Sequence, residues 1–188
     1  AAAQGFVSSN IHASVSGTVV RFEKRYLPSG GLSDCIVIKN DGLDTLTENI
    51  GHCREPLDIT PENIRLLMQE KGIVGMGGAA FPTHVKYAPP KNGQAIDTVI
   101  INGIECEPYI TADHRILLEY ADKVVRGLKY FMLAAAAPKG IIAIEDNKPD
   151  AIELLTKLTA KETDISVVVC KEKYPQGSEK QLIYAVTG

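Results

Sequence analysis

Tryptophan is absent, no two of the four cysteines are spaced C-x-x-C, and no apolar run approaches the thickness of a bilayer. Cys35, Cys53, Cys106 and Cys170 are scattered, which removes the paired spacing with which a short segment grips zinc or an iron–sulfur cluster. They read as reduced cytosolic thiols and as small, partly buried side chains, and only Cys106 falls inside a motif. The longest apolar stretch, residues 130–137, is bracketed by Lys129 and Lys139 and is far shorter than the roughly 20 residues a spanning helix needs. A secretory signal is not expected, because residues 1–5 have neither a basic start nor an apolar core. Basic charge is not in excess either: the formal net charge is −3, which leaves no electrostatic footprint for nucleic acid. The 188 residues that are there have an ordinary globular composition and suffice for one buried core with a small appendage.

The appendage comes first. Residues 14–20 and 35–38 are β-branched runs, separated by the turn residues Pro28, Ser29, Gly30 and Gly31 and followed by Asn40-Asp41-Gly42. A small β unit over residues 1–47 is expected. Residues 11–19 resemble the barrel-sandwich module of biotinyl and lipoyl carriers, but no lysine sits on a hairpin tip between methionines, so the module is read as structural.

Residues 48–188 read as an α/β domain. Thr60 has the chemistry of an N-cap and Pro61 that of a first helical residue; Ile64, Leu67 and Met68 then share a face until Gly72 stops the helix. Three short apolar runs follow, at 98–101, 140–144 and 165–169. Segments of helical period separate them, the first through Ile116, Tyr120, Val124, Leu128 and Phe131, the second through Ile152, Leu155 and Leu158. Strand, helix, strand, helix, strand predicts a Rossmann-like parallel sheet. Ser178 and Gln181 have capping-box spacing and predict a last helix.

The densest chemical signal is the run Gly72-Ile73-Val74-Gly75-Met76-Gly77-Gly78-Ala79-Ala80-Phe81-Pro82-Thr83-His84-Val85-Lys86. Small residues let a backbone turn its N–H groups onto an anion where a Cβ would obstruct, and Lys86 can add a point charge. A flexible linker is the bland alternative, but linkers favour serine and polar residues over Val74, Phe81 and Val85. Residues 75–80 also satisfy G-x-G-x-x-A, with Asp97 about twenty residues beyond, which imitates a dinucleotide fingerprint. The context rejects it, since that fingerprint follows a strand and these glycines follow a helical segment, with Pro82 close behind.

A second cluster, Asn102-Gly103-Ile104-Glu105-Cys106-Glu107-Pro108-Tyr109, follows the first expected strand of the sheet, where open α/β sheets place their ligands. Asn102 both donates and accepts, and the carboxylates accept from sugar hydroxyls. Taken alone, such residues also suit a polar surface loop.

Together these motifs resemble the flavin-bearing NADH subunit of respiratory complex I, and more closely the C subunit of the Rnf electron-transport complex. Further matches are Thr111-Ala112-Asp113, Ile144-Glu145-Asp146-Asn147-Lys148-Pro149 and Tyr174-Pro175-Gln176-Gly177-Ser178-Glu179-Lys180-Gln181-Leu182. The resemblance implies an NADH-dependent flavin oxidoreductase. FMN would be held by Gly75, Gly77, Gly78, Lys86, Asn102, Glu105, Glu145, Asp146 and Asn147, and NADH by Phe81, Glu105 and Glu107. No catalytic acid or base and no metal ligand is expected in this chain. It also implies electron delivery to iron–sulfur centres outside this chain, two four-iron clusters in a further C-terminal part, and other subunits of a membrane complex as partners. The implied place is cytoplasmic, on the inner face of the cell membrane. Met76 stands where the complex I pattern has arginine, and Ala80 where it has glycine. A soluble reductase sharing this core, serving cobalamin or amino-acid reduction, and a docking domain without flavin are the alternatives.

Overall fold

The computed structural model describes residues 1–28, 30–48, 50, 59–76, 80–90 and 92–188. Strand β1 (Gly17–Tyr26) pairs antiparallel with β2 (Leu32–Asn40), with a bulge between Val19 and Arg21. The pairing places Val19 opposite Ile38, Phe22 opposite Ile36 and Tyr26 opposite Leu32, while Arg21, Glu23 and Arg25 point to the other face. Phe22, Tyr26 and Leu32 share their face with the Lys24–Asp34 ion pair and are all exposed. Among the described residues, the expected β unit is therefore a two-stranded sheet.

Helix α1 (Pro61–Glu70) begins as expected: Thr60 accepts from the Asn63 N–H, Pro61 occupies the first turn, and Ile64 and Met68 are buried. It ends at Gly72, whose φ of +69° only glycine adopts without strain. Asn10 and His12 of the N-terminal arm bond the Glu70 carbonyl, which satisfies an acceptor left open at the helix end. The one-turn helix α2 (Thr83–Lys86) follows, and Tyr87 beyond it stacks on Phe131 at 4.9 Å.

The domain's centre is the parallel sheet β3–β4–β5, formed by β3 (Thr98–Gly103), β4 (Lys139–Glu145) and β5 (Ile165–Cys170). Between β3 and β4 lie α3 (Ala112–Glu119) and α4 (Ala121–Ala135), between β4 and β5 lies α5 (Pro149–Thr159), and α6 (Glu179–Thr187) follows β5. The two-residue period decides what covers each face. Val99, Ile142, Ile144 and Ile165 pack against α3, α4 and α5, while Ala143 and Cys170 pack with Leu182 of α6. Leu128, Ile142, Ile144 and Leu155 are completely buried, each contributing roughly 1.5–3 kcal/mol by leaving water. Gly140 lets α4 sit directly on β4, because a Cβ there would lie 2.6 Å from Met132 Sδ.

Two expectations need correction. The helical segment after β3 is broken at Tyr120, and its buried stripe runs through Leu117, Ala121, Val125, Leu128 and Met132, not through Ile116 and Tyr120, which are half exposed. Small Ala121 turns inward where the larger Tyr120 does not fit, so the stripe is displaced by one residue. The Ser178 side chain makes no capping bond, although the last helix starts at the expected place.

Candidate functional site

The carboxyl ends of β3, β4 and β5 carry a connected polar cluster. Asn102, near the end of β3, accepts from the Ile104 N–H at 3.1 Å and donates to the Gly177 carbonyl at 2.8 Å. The Gly177 N–H in turn donates to Cys106 Sγ at 3.3 Å. This approach requires glycine: a Cβ at residue 177 would stand 2.8 Å from the Ile104 carbonyl oxygen and 3.1 Å from Cys106 Sγ. The segment ahead of α6 is thereby clamped to the loop after β3.

Glu105 caps α3. Its Oε1 accepts from the Asp113 N–H at 2.7 Å and its Oε2 from the His114 N–H at 3.3 Å, where Thr111 supplies no side-chain cap. Burial pushes the Asp113 carboxyl above its ordinary range, the Glu105 charge adds to this, and Lys148 opposes it. His114 Nε2 lies 2.8 Å from Asp150 Oδ1, linking α3 to the start of α5. That hydrogen bond, seconded by the Ala151 N–H, holds Asp150 below the usual carboxylate range.

Glu145 ends β4 with no solvent exposure. Its Oε2 accepts from Lys148 Nζ at 2.7 Å, and its Oε1 has no partner among the described residues. Lys148 also donates to Asn147 Oδ1 at 3.0 Å. Asp146 ties β4 to β5, donating its N–H to the Cys170 carbonyl and accepting from the Glu172 N–H. Burial raises the Cys170 thiol, and the nearby Glu145 charge raises it further. Above this cluster opens a cavity of about 340 Å³ whose walls include Glu105, Glu107, Tyr109, Asn147, Lys148 and Glu172.

The expected site residues thus fall into three groups among the described residues. Glu105, Glu107 and Asn147 share the cavity wall, and Asn102, Glu145 and Asp146 belong to the hydrogen-bonded network at the strand ends. Gly75, Phe81 and Lys86 flank the centre of the glycine loop, and the flanks are paired: Val74 bridges to Pro82, and the Gly75 N–H donates to the Phe81 carbonyl at 2.9 Å. Phe81 and Lys86 are exposed, and neither forms part of the cavity wall. Gly77 and Gly78 lie outside the described residues. Sequence reasoning missed Lys148, His114 and Gly177 as parts of the cluster. Lys148 and Gly177 both stood inside matched motifs, Lys148 directly before the Pro149 that starts a helix and Gly177 in the run 174–182, but no spacing pointed to their partners.

Residues 68–188 match the family model described as the Nuo51 FMN-binding domain. The chain belongs to the Nuo51 FMN-binding domain family. Residues 1–43 match a second model, the RnfC barrel sandwich hybrid domain, in agreement with the Rnf resemblance. The C subunit of the Na(+)-translocating ferredoxin:NAD(+) oxidoreductase complex of Acetobacterium woodii is 48% identical over 98% of this chain and 41% of its own length. The C subunit of the proton-translocating ferredoxin:NAD(+) oxidoreductase complex of Clostridium ljungdahlii is 46% identical over 100% of this chain and 41% of its own. The chain therefore spans about two fifths of the length of these relatives. An NAD+-reducing [NiFe]-hydrogenase in its H2-reduced state shares the fold, with a TM-score of 0.55 at 24% identity over 67% of this chain and 24% of that one.

The Nuo51 family name implies FMN, and the donor set here fits a ligand of that kind. The Asn147 amide and the Lys148 ammonium can face ring heteroatoms, Glu107 and Glu172 can accept from hydroxyls, and the buried Glu145 Oε1 retains unused acceptor capacity.

Proposed function

We propose that this chain is the NADH- and FMN-binding electron-input module of a membrane-associated electron-transport complex. The observation that carries the reading is a polar cavity at the carboxyl ends of β3–β5, inside the segment that matches the Nuo51 FMN-binding domain. The two relatives are named for ferredoxin and NAD(+), which supports exchange between a nicotinamide and a one-electron iron–sulfur carrier. Bound FMN would supply the chemistry that side chains lack, taking a hydride as a two-electron unit and passing electrons on singly.

The chain's own part is positioning. With the Gly75 N–H held by Phe81, the flavin phosphate is assigned to the loop after Gly75, where Gly77 and Gly78 carry no Cβ, and to the exposed Lys86 ammonium. Asn102, Glu105, Glu145, Asp146 and Asn147 shape the flavin side of the cavity, and Glu107 accepts from NADH ribose hydroxyls while repelling an extra phosphate. Phe81 is assigned to packing against the nicotinamide. Two four-iron clusters and the contacts to partner subunits are assigned to the remaining length of the full protein, and its place to the cytoplasmic face of the membrane. A division of this chain near residue 47 is supported by the two family matches, which end at 43 and begin at 68.

The test uses the full-length protein. It should purify with FMN bound, and Gly77→Val should abolish binding in a folded variant. Glu107→Gln should raise the Michaelis constant for NADH and narrow the preference over NADPH with FMN content unchanged. Stoichiometric FMN in the folded Gly77→Val variant would refute the phosphate assignment, and absence of FMN from the unaltered protein would refute the function.

A further inference from the structure

Glu107, Pro108, Tyr109 and Ile110 form a tight turn, closed by an Ile110 N–H to Glu107 carbonyl contact of 3.5 Å. Proline occupies its second position, and Tyr109 occupies the third with a φ of +67°. A turn with proline there and positive φ next belongs to the class that takes glycine, or at most asparagine, at its third position. A side chain as bulky as tyrosine is strained in this region. Packing does not offset that cost. Tyr109 is 104% exposed, so its ring is covered by nothing among the described residues.

The strained turn lies at the mouth of the cavity described above, of which Tyr109 is a wall residue beside Glu107. Residues held in strained backbone conformations cluster at active sites and ligand clamps. The chemistry of the wall defines what a ring at this mouth would meet. Glu107 and Glu172 present acceptors suited to ribose hydroxyls and hostile to phosphate, and Lys148 and Asn147 present donors below. Tyr109 lines the same wall as those acceptors, so a planar base joined to a ribose held by them has an aromatic ring within the same site. Phe81, the loop aromatic, is not part of this wall, and Tyr109 is the ring available to a ligand there among the described residues.

We propose that Tyr109 is a second stacking residue of the nicotinamide-dinucleotide site besides Phe81, closing over one planar base of NADH while Glu107 holds the adjoining ribose. This rests on the proposed function and adds a specificity-determining residue to it. The ring is a rigid aromatic with two side-chain torsions, so ordering it on a base loses little entropy and removes its exposed apolar surface from water.

The experiment compares full-length protein with Tyr109→Phe and Tyr109→Asn, measuring dissociation constants for NADH, AMP and reduced nicotinamide mononucleotide, FMN content, and melting temperature. Asparagine tolerates positive φ, so Tyr109→Asn should melt no lower than the unaltered protein while its NADH dissociation constant rises about threefold to tenfold. Tyr109→Phe should keep the affinity. The loss should appear with AMP if the adenine is the stacked base, or with the reduced mononucleotide if the nicotinamide is, and either result supports the proposal. Equal NADH affinity in the unaltered and Tyr109→Asn proteins would overturn this inference alone, as would loss of FMN in place of loss of NADH affinity. If the unaltered protein binds none of the three nucleotides, the proposed function falls, and this inference with it.

Discussion

Lys148 Nζ lies 2.7 Å from Glu145 Oε2, in an ion pair whose side chains are 7% and 0% exposed. Neither charge could be held there alone, because an uncompensated charge in the interior loses hydration that nothing replaces. The pair sits at the β4–α5 junction, so it fixes the floor of the cavity as well as the end of the strand. Lys148→Met is expected to destabilise the fold by about 3–5 kcal/mol, read as a lower urea midpoint at unchanged slope. Replacing both partners, Glu145→Leu with Lys148→Met, should recover most of that loss while impairing ligand binding. A double variant as unstable as the single one would show that the pair stabilises through packing and not through charge compensation.

Glu105 has a role that is measurable without any ligand. Because both its oxygens accept from the first N–H groups of α3, Glu105→Ala should cost about 1 kcal/mol, the usual loss of a helix cap. Thermal unfolding of the protein freed of nucleotide would detect it. An unchanged melting temperature would mean that the carboxylate is not committed to the helix.

The His114–Asp150 contact gives stability a defined acid limb. The folded-state value of Asp150 is depressed below the ordinary 3.8, so its contribution is complete above that value and is lost as pH falls through the lower folded-state value. Asp150→Asn should therefore be less stable than the unaltered protein at pH 7, and the difference should close as pH drops below 3.8. A difference that persists at acid pH would locate the effect in packing of the α5 start.

Gly72 couples the N-terminal arm to the glycine loop. At its φ of +69° a Cβ would stand 2.3 Å from the Asn10 carbonyl oxygen, so Gly72→Ala combines backbone strain of roughly 1–2 kcal/mol with displacement of the arm. Limited proteolysis should then cut within residues 1–13 sooner, with a lower melting temperature. Unchanged cleavage would mean that the arm does not depend on this contact.

The order of elements was legible because the signals are local. Thr60 with Pro61 marked a helix start, Gly72 its stop, and the β-branched runs at 98–101, 140–144 and 165–169 became the three strands. The break at Tyr120 was not legible, since Ile116, Tyr120 and Val124 keep helical spacing and only the tight seat on the sheet selects Ala121 for the inward position. At the site, the residues at the strand ends were visible as motifs, but their partners were not. Asn102 meets Gly177 across 75 positions of sequence, and neither residue carries a local mark of the other. Lys148 stood in a matched motif, but its burial against Glu145 shows only in the fold.

The sheet order β3–β4–β5 repeats the order of the chain, which has a consequence for how the protein is made. Each of these strands leaving the ribosome meets an edge already laid down by its predecessor, so among the described strands none has to be inserted between two others. Growth is vectorial, and at the roughly 5–20 residues per second of synthesis the helices between strands have ample time to form before the next strand arrives. The cavity at the strand ends, by contrast, closes after the sheet. Its clamp waits for Gly177 to emerge and reach back to Asn102 and Cys106, so a nascent chain acquires these strands before that wall is fixed.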